Sequence, residues 1–167
     1  MINISSKQCL INGQNYAIKN RRQSTRFFRE RSKWKNNSTS DYNGKKVAIY
    51  FYPKDNTPGC TVQACNLRDN DAELQKAGVQ IIGVSADSSA SHVKFIDKFS
   101  LPFPLIADED KTIIQQFGVW GPKKFMGKEY DGIHRTTFII DENKTIIGII
   151  EKPKTKEHAE EILALLK

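Results

Sequence analysis

Cysteine is scarce in this chain, with three residues among 167, at positions 9, 60 and 65. So few, so unevenly placed, cannot staple a small fold, and a disulfide scaffold is excluded. No C-x-x-C pair is present. His92 and His134 stand at no paired spacing, and Cys60 with Cys65 falls short of the four ligands that structural zinc usually requires, so no metal is expected. No apolar run approaches the ~20 residues that span a bilayer, and no membrane association is expected. Met1 to Leu10 lacks the continuous apolar core of a secretion signal. A cytoplasmic protein is the expectation.

Acidic residues are missing from one region only. The first forty residues hold nine Lys/Arg and a single acid, whereas the remainder holds 17 Lys/Arg against 18 Asp/Glu. The formal +7 therefore belongs to the amino end, and the rest is close to neutral. A basic charge confined to one segment assigns no nucleic-acid partner to the body of the protein.

From residue 40 onward strand and helix patterns alternate. Lys46–Tyr52 reads as a buried strand, and Thr61–Lys76 as a helix stopped by Gly78. Val79–Ala86 is a second strand. Ser89–Phe99 is a helix with Val93, Ile96 and Phe99 on its inner side. Leu105–Ala107 is a short strand and Asp110–Phe117 a short helix with an acidic start. Gly118–Gly132 reads as a loop in which Trp120 and Phe125 pack. Thr136–Ile140 and Thr145–Ile150 form a hairpin about Asp141–Lys144, and Lys156–Leu166 closes the chain as a helix with Ala159, Ile162, Leu163 and Leu166 inward. This order predicts an α/β protein of thioredoxin-like fold, with a central mixed β-sheet flanked by helices, over residues 40–167. Its functional turn lies at the carboxyl end of a central strand.

That turn is Pro53-Lys54-Asp55-Asn56-Thr57-Pro58-Gly59-Cys60-Thr61. It places a thiol in the first turn of a helix, where free N–H groups and the macrodipole favour a thiolate. Thr57, three residues earlier, can bring its hydroxyl beside the sulfur and an incoming oxygen. Pro53 and Pro58 stiffen the turn. Arg135 opens a strand beside it and is the candidate guanidinium, fixed in charge and able to donate two hydrogen bonds. Cys9 lies outside any motif. On an intact helix, residues five apart such as Cys60 and Cys65 have Cα atoms roughly 8–9 Å apart, beyond the ~7 Å reach of a disulfide. They can join only if the first helical turns unwind.

The pattern P-x-x-x-T-x-x-C, here Pro53, Thr57 and Cys60, resembles the peroxiredoxin signature. The run FYPKDNTPGCTVQAC is similar to the peroxiredoxin Q group, also called bacterioferritin-comigratory protein. FPLIADED (Phe103–Asp110), FGVWGPKKFMGKEYDGIHRTTFIID (Phe117–Asp141) and the closing helix match as well. The resemblance implies a thiol peroxidase that needs no cofactor and reduces hydrogen peroxide and organic hydroperoxides. It makes Cys60 the peroxidatic cysteine and Cys65 the resolving one, joined as a redox disulfide. Thr57 and Arg135 become the activating pair, with Pro53 and Gly59 lining the substrate pocket. Thioredoxin is the implied reductant and a monomer the implied state. The rival readings are a thiol-disulfide oxidoreductase, which the missing C-x-x-C disfavours, and a non-enzymatic redox sensor with a polyanion-binding basic tail.

Residues 1–39 depart from the family. A relative begins with a segment like Ala-Pro-Asp-Phe and a hairpin carrying Asp-Gln-Asn-Gly-Lys-Thr-Ile. Permitted codons for Arg31–Asn37, read one base later, yield that second phrase, and the same offset converts Arg22–Phe28 to Asp-Lys-Ala-Pro-Asp-Phe-Ser. The expectation is that about Arg22–Thr39 is translated out of frame, giving a poorly packed segment. An organelle transit peptide and a basic tail acting as a weak polyanion anchor are the alternatives. Sequencing the coding DNA decides whether the frame is shifted.

Overall fold

A computed structural model describes residues 42–167, so the expectations for residues 1–39 lie outside the described residues. Five strands form the main sheet: β1 (Lys46–Phe51), β2 (Val79–Ser85), β3 (Leu105–Ala107), β6 (Thr136–Ile140) and β7 (Ile146–Glu151). Their order is β3-β2-β1-β6-β7. β1 and β3 run parallel to β2, β6 lies antiparallel to β1, and β7 antiparallel to β6. The sheet is mixed, as the element order implied.

β1 is central, and both of its faces are apolar, as burial on two sides demands. Val47, Ile49 and Phe51 join one core with Ile82, Val84, Phe138 and Ile140. That core is closed by Ile113, Ile114 and Phe117 from α4 (Thr112–Gln116) and its C-cap, and by Val119 and Ile133. Ala48, Tyr50 and Tyr52 point the other way. They meet four helices: α1 (Pro58–Asp69), α2 (Asp71–Lys76), α3 (Ser89–Phe99) and α5 (His158–Ala164). Gly83 pairs with Tyr50 across the β1–β2 ladder. A Cβ there would stand 2.5 Å from Leu105 Cδ2 and 2.9 Å from Tyr50 Cζ, so only glycine lets that ring lie down on the sheet.

Four details differ from the sequence reading. The single helix over 61–76 begins earlier, at Pro58, and breaks at Asn70. The Asn70 amide donates to the Asn66 carbonyl at 2.8 Å, a local bond that competes with helix continuation. Gly118–Gly132 is not a loop. It folds as an antiparallel ribbon of β4 (Trp120–Phe125) and β5 (Lys128–Ile133). Met126 and Gly127, at φ 48° and 75°, form the two-residue turn between them, the left-handed pair that such ribbons favour. Val93 is 57% exposed, and α3 buries His92 and Phe95 instead. Phe125, at 66% exposure, stands at the ribbon tip and packs into no loop.

The short helix α4 is capped from a distance. The buried Asp108 carboxylate accepts from the N–H groups of Ile113 and Ile114 at 3.1 and 2.8 Å. Burial pushes that carboxyl up from its ordinary value, against the pull of the two amides. No helix among the described residues is long and apolar enough to cross a membrane.

Candidate active site

β1 ends at Phe51, and the chain turns through Tyr52–Thr57 before α1 begins at Pro58. Proline suits a first helical position because it has no N–H to leave unpaired. Thr57 is the N-cap, in extended backbone, and Thr61 N–H donates back to its carbonyl at 2.9 Å. The N–H groups of Gly59 and Cys60 therefore lie ahead of any intrahelical acceptor. Cys60 is 2% exposed and its Sγ points at the guanidinium of Arg135, which donates from Nη2 at 3.3 Å. A Cβ on Gly59 would stand 3.5 Å from the same Nη2, an ordinary contact distance, so the arginine lies directly against the helix start.

Arg135 immediately precedes β6 and is fixed at both ends. Its carbonyl accepts from Lys152 N–H at 3.1 Å, and its Nη1 donates to Gln63 Oε1. Gln63 lies one helical turn beyond Cys60, on the same face. Lys123, on β4, donates from Nζ to the Ile133 carbonyl at 3.0 Å. Burial and then the charge of Arg135 pull the Lys123 ammonium below its ordinary value, and Cys60 opposes them. The Tyr50 hydroxyl, buried beneath the site, has no hydrogen-bond partner among the described residues. Its ionisation is pushed up by burial first and by Cys60 next.

The expected Thr57 contact takes a different form. Its Oγ1 donates to the Lys54 carbonyl at 3.0 Å, so the hydroxyl proton is committed within the turn. The oxygen's lone pairs remain to accept from a ligand O–H. Pro53 is half-buried in the turn. The turn is held by a buried carboxylate that sequence reasoning passed over. Asp55 accepts from Tyr52 Oη at 2.7 Å, Ser91 Oγ at 2.7 Å and His92 Nδ1 at 2.8 Å. Its own N–H donates to Asp87 Oδ2 at 2.9 Å. Burial alone would raise the Asp55 carboxyl, but the His92, Ser91 and Tyr52 hydrogen bonds outweigh it and hold the group below its ordinary value. His92 thus serves the turn through Nδ1, and no group of three or more potential metal ligands occurs among the described residues.

Cys65 sits on the same uninterrupted helix, α1, and is partly exposed; both cysteines are free thiols. Cys9 lies outside the described residues. Gln63 and Asp55 were legible in principle, one as a residue three after the thiol, the other as a carboxylate inside the turn. His158, far along the chain, carried no such signal.

The AhpC/TSA family matches residues 22–149. The chain is 51% identical over 130 residues to the putative peroxiredoxin bcp of Haemophilus influenzae, covering 78% of this chain and 84% of that protein. It is 51% identical over 128 residues to peroxiredoxin Bcp of Escherichia coli K12, covering 77% and 82%. This chain belongs to the peroxiredoxins, in the Q/Bcp group. A solved peroxiredoxin Q of Xanthomonas campestris aligns with a TM-score of 0.72 at 38% identity, covering 78% of this chain and 82% of that one. A Xylella fastidiosa PrxQ mutant aligns with a TM-score of 0.72 at 34% identity, covering 78% and 80%. The thioredoxin-like fold is therefore present, and the chain is a peroxidase of the oxidoreductase class, acting through thiol chemistry.

Proposed function

We propose that Cys60 is the peroxidatic cysteine, and that its thiolate attacks the terminal oxygen of a hydroperoxide. The O–O bond breaks, the sulfur becomes a sulfenic acid, and the departing alkoxide or hydroxide takes up a proton to leave as alcohol or water. The observation that carries this reading is the Arg135 Nη2 donor 3.3 Å from a buried Sγ at a helix start. Negative charge on sulfur, and then on the leaving oxygen, meets a guanidinium and the open N–H groups of Gly59 and Cys60. Thr57 accepts from the peroxide O–H, and Pro53 shields the pocket.

Cys65 is the resolving residue. Its sulfur displaces water from the Cys60 sulfenic acid and forms a disulfide. Because both lie on one helix, the first turns of α1 unwind before the bond closes. A dithiol reductant, thioredoxin, restores the thiols by exchange. The protein works as a cytoplasmic monomer without a bound cofactor.

Peroxide consumption coupled to thioredoxin and its reductase tests the scheme. Cys60→Ser abolishes turnover, and full activity in that variant overturns the reading. Cys65→Ser retains one stoichiometric oxidation of Cys60 but fails to recycle through thioredoxin. A peptide map after one equivalent of peroxide shows Cys60 joined to Cys65.

A further inference from the structure

A chain of hydrogen bonds, part-buried at Arg135 and buried beyond it, runs from the Cys60 pocket into the last helix. Arg135 Nη1 donates to Gln63 Oε1. Gln63 Nε2 lies 3.0 Å from His158 Nδ1, and His158 Nε2 lies 2.8 Å from Thr137 Oγ1. A guanidinium has no acceptor, so Gln63 must turn its carbonyl toward Arg135. Its amide N–H groups are then left for His158, and Nδ1 must accept. The imidazole consequently holds its single proton on Nε2, which donates to Thr137. Each link dictates the polarity of the next.

We propose that His158 is a positioning residue for Arg135, acting through Gln63 to hold the guanidinium on the Cys60 sulfur. The proposal rests on the reading of Cys60 and Arg135 given above and adds a residue that touches neither sulfur nor substrate. His158, Gln63 and Thr137 are all 0% exposed, so bulk water does not reach these links. The groups facing the imidazole are Gln63 from α1, Thr137 from β6 and the edge of the Tyr50 ring from β1, 6.0 Å between centroids. None is an acid that would charge it. Burial, and then Arg135, pull its titration down to about 3, in keeping with a neutral acceptor. A protonated ring would push an N–H into the Gln63 amide, flip it, and turn its N–H groups on the arginine.

α5 is also docked on α1 at a second point. Asn66 Nδ2 donates to the Lys156 carbonyl and Asn66 Oδ1 accepts from Ala159 N–H, both at 2.9 Å. This contact holds the same helices together without touching Arg135, and so supplies the control.

The experiment measures the second-order rate of Cys60 oxidation in the pre-reduced full chain, with the urea midpoint of each variant. His158→Gln, whose amide sits where Nε2 does, loses the acceptor for Gln63 and slows oxidation about tenfold. His158→Asn places an acceptor oxygen near Nδ1 and recovers the rate to within about threefold of the original. Asn66→Ala lowers the urea midpoint but leaves the oxidation rate unchanged. Equal rates in the two His158 variants, or equal slowing by Asn66→Ala, overturn the proposal in favour of simple helix docking. Nitrogen NMR of histidine-labelled unmutated protein is a test that needs no variant. It shows His158 neutral with its proton on Nε2 from pH 5 to pH 8, roughly the range in which a free imidazole titrates; a proton on Nδ1, or titration near pH 6.5, overturns the proposal. Turnover by Cys60→Ser would instead defeat the reading of Cys60, while the NMR result would stand by itself.

Discussion

Two buried histidines serve the segment around Cys60, His158 through Gln63 on α1 and His92 through Asp55 in the preceding turn. His158 stands at the end of a chain headed by a cation, Arg135, and meets only amide, hydroxyl and aromatic groups. His92 donates to a carboxylate, Asp55, that also gathers Tyr52 and Ser91. One cluster aims a charge at the sulfur, and the other pins the loop that precedes it. The same residue type serves opposite electrostatic ends because its neighbours decide which of its nitrogens accepts. Removing a member of the first cluster should therefore cost reactivity, and removing a member of the second should cost stability.

Asp55→Ala tests the second half most severely. It strands three buried donors, from Tyr52, Ser91 and His92, and should lower unfolding free energy by about 3–5 kcal/mol. A urea midpoint close to that of the unmutated protein would dissolve the distinction between the clusters. Arg135→Met is the counterpart. It should slow Cys60 oxidation about 100-fold, or about 2.7 kcal/mol in the barrier, with the larger part of stability retained. Stopped-flow oxidation with hydrogen peroxide measures the effect, and a loss confined to the urea midpoint would reverse the assignment.

Acid separates the clusters further. His158 titrates at about 3 in the folded protein against 6.5 for the free side chain. As pH falls, the unfolded chain takes the proton first. The stability linked to His158 is whole above pH 6.5 and is lost as pH drops from 6.5 toward about 3, by up to about 1.4 kcal/mol per pH unit. The Asp55 carboxyl is also depressed, so its contribution is whole above the ordinary carboxylate value of 3.8 and fails only below it. Urea midpoints between about pH 6 and about pH 4.5 should fall in the unmutated protein and flatten in His158→Asn. An unchanged slope in that variant would assign the early loss elsewhere. The smallest effect is expected at Val93, which faces solvent. Val93→Lys should shift stability by no more than about 0.5 kcal/mol, and a larger drop in the urea midpoint would restore the inward placement read from periodicity.

That last case shows where periodicity stopped being informative. Ile96 and Phe99 pack against the core as their spacing predicts, but Val93 does not, because α3 turns its His92–Phe95 side inward. A buried histidine is invisible to an apolar pattern when a carboxylate 37 residues earlier in the chain compensates its polarity. The β4–β5 ribbon was hidden for a related reason. Glycine, lysine and proline give a loop-like composition, and pairing register, not residue type, makes it a ribbon. By contrast the apolar runs of β1, β2 and β6 were plain, because strands buried on two faces have little freedom in composition. Cys60 and Arg135 were legible as candidates, being residue types whose chemistry is narrow, whereas the Thr57 bond to the Lys54 carbonyl was not.

Local order along the chain already determined that a thiol would stand at a helix start after a central strand, since proline, glycine and threonine at those offsets admit few backbone paths. It determined too that Cys65 would share the helix five residues on, a spacing beyond the reach of a disulfide while that helix is intact. Only the tertiary structure decided that Arg135 meets the sulfur, that Gln63 holds the arginine, and that His158 from the final helix fixes Gln63. Hydrogen-bond polarity passes between residues 60, 63, 135, 137 and 158 only when the packing of sheet and helices excludes water from the links between them.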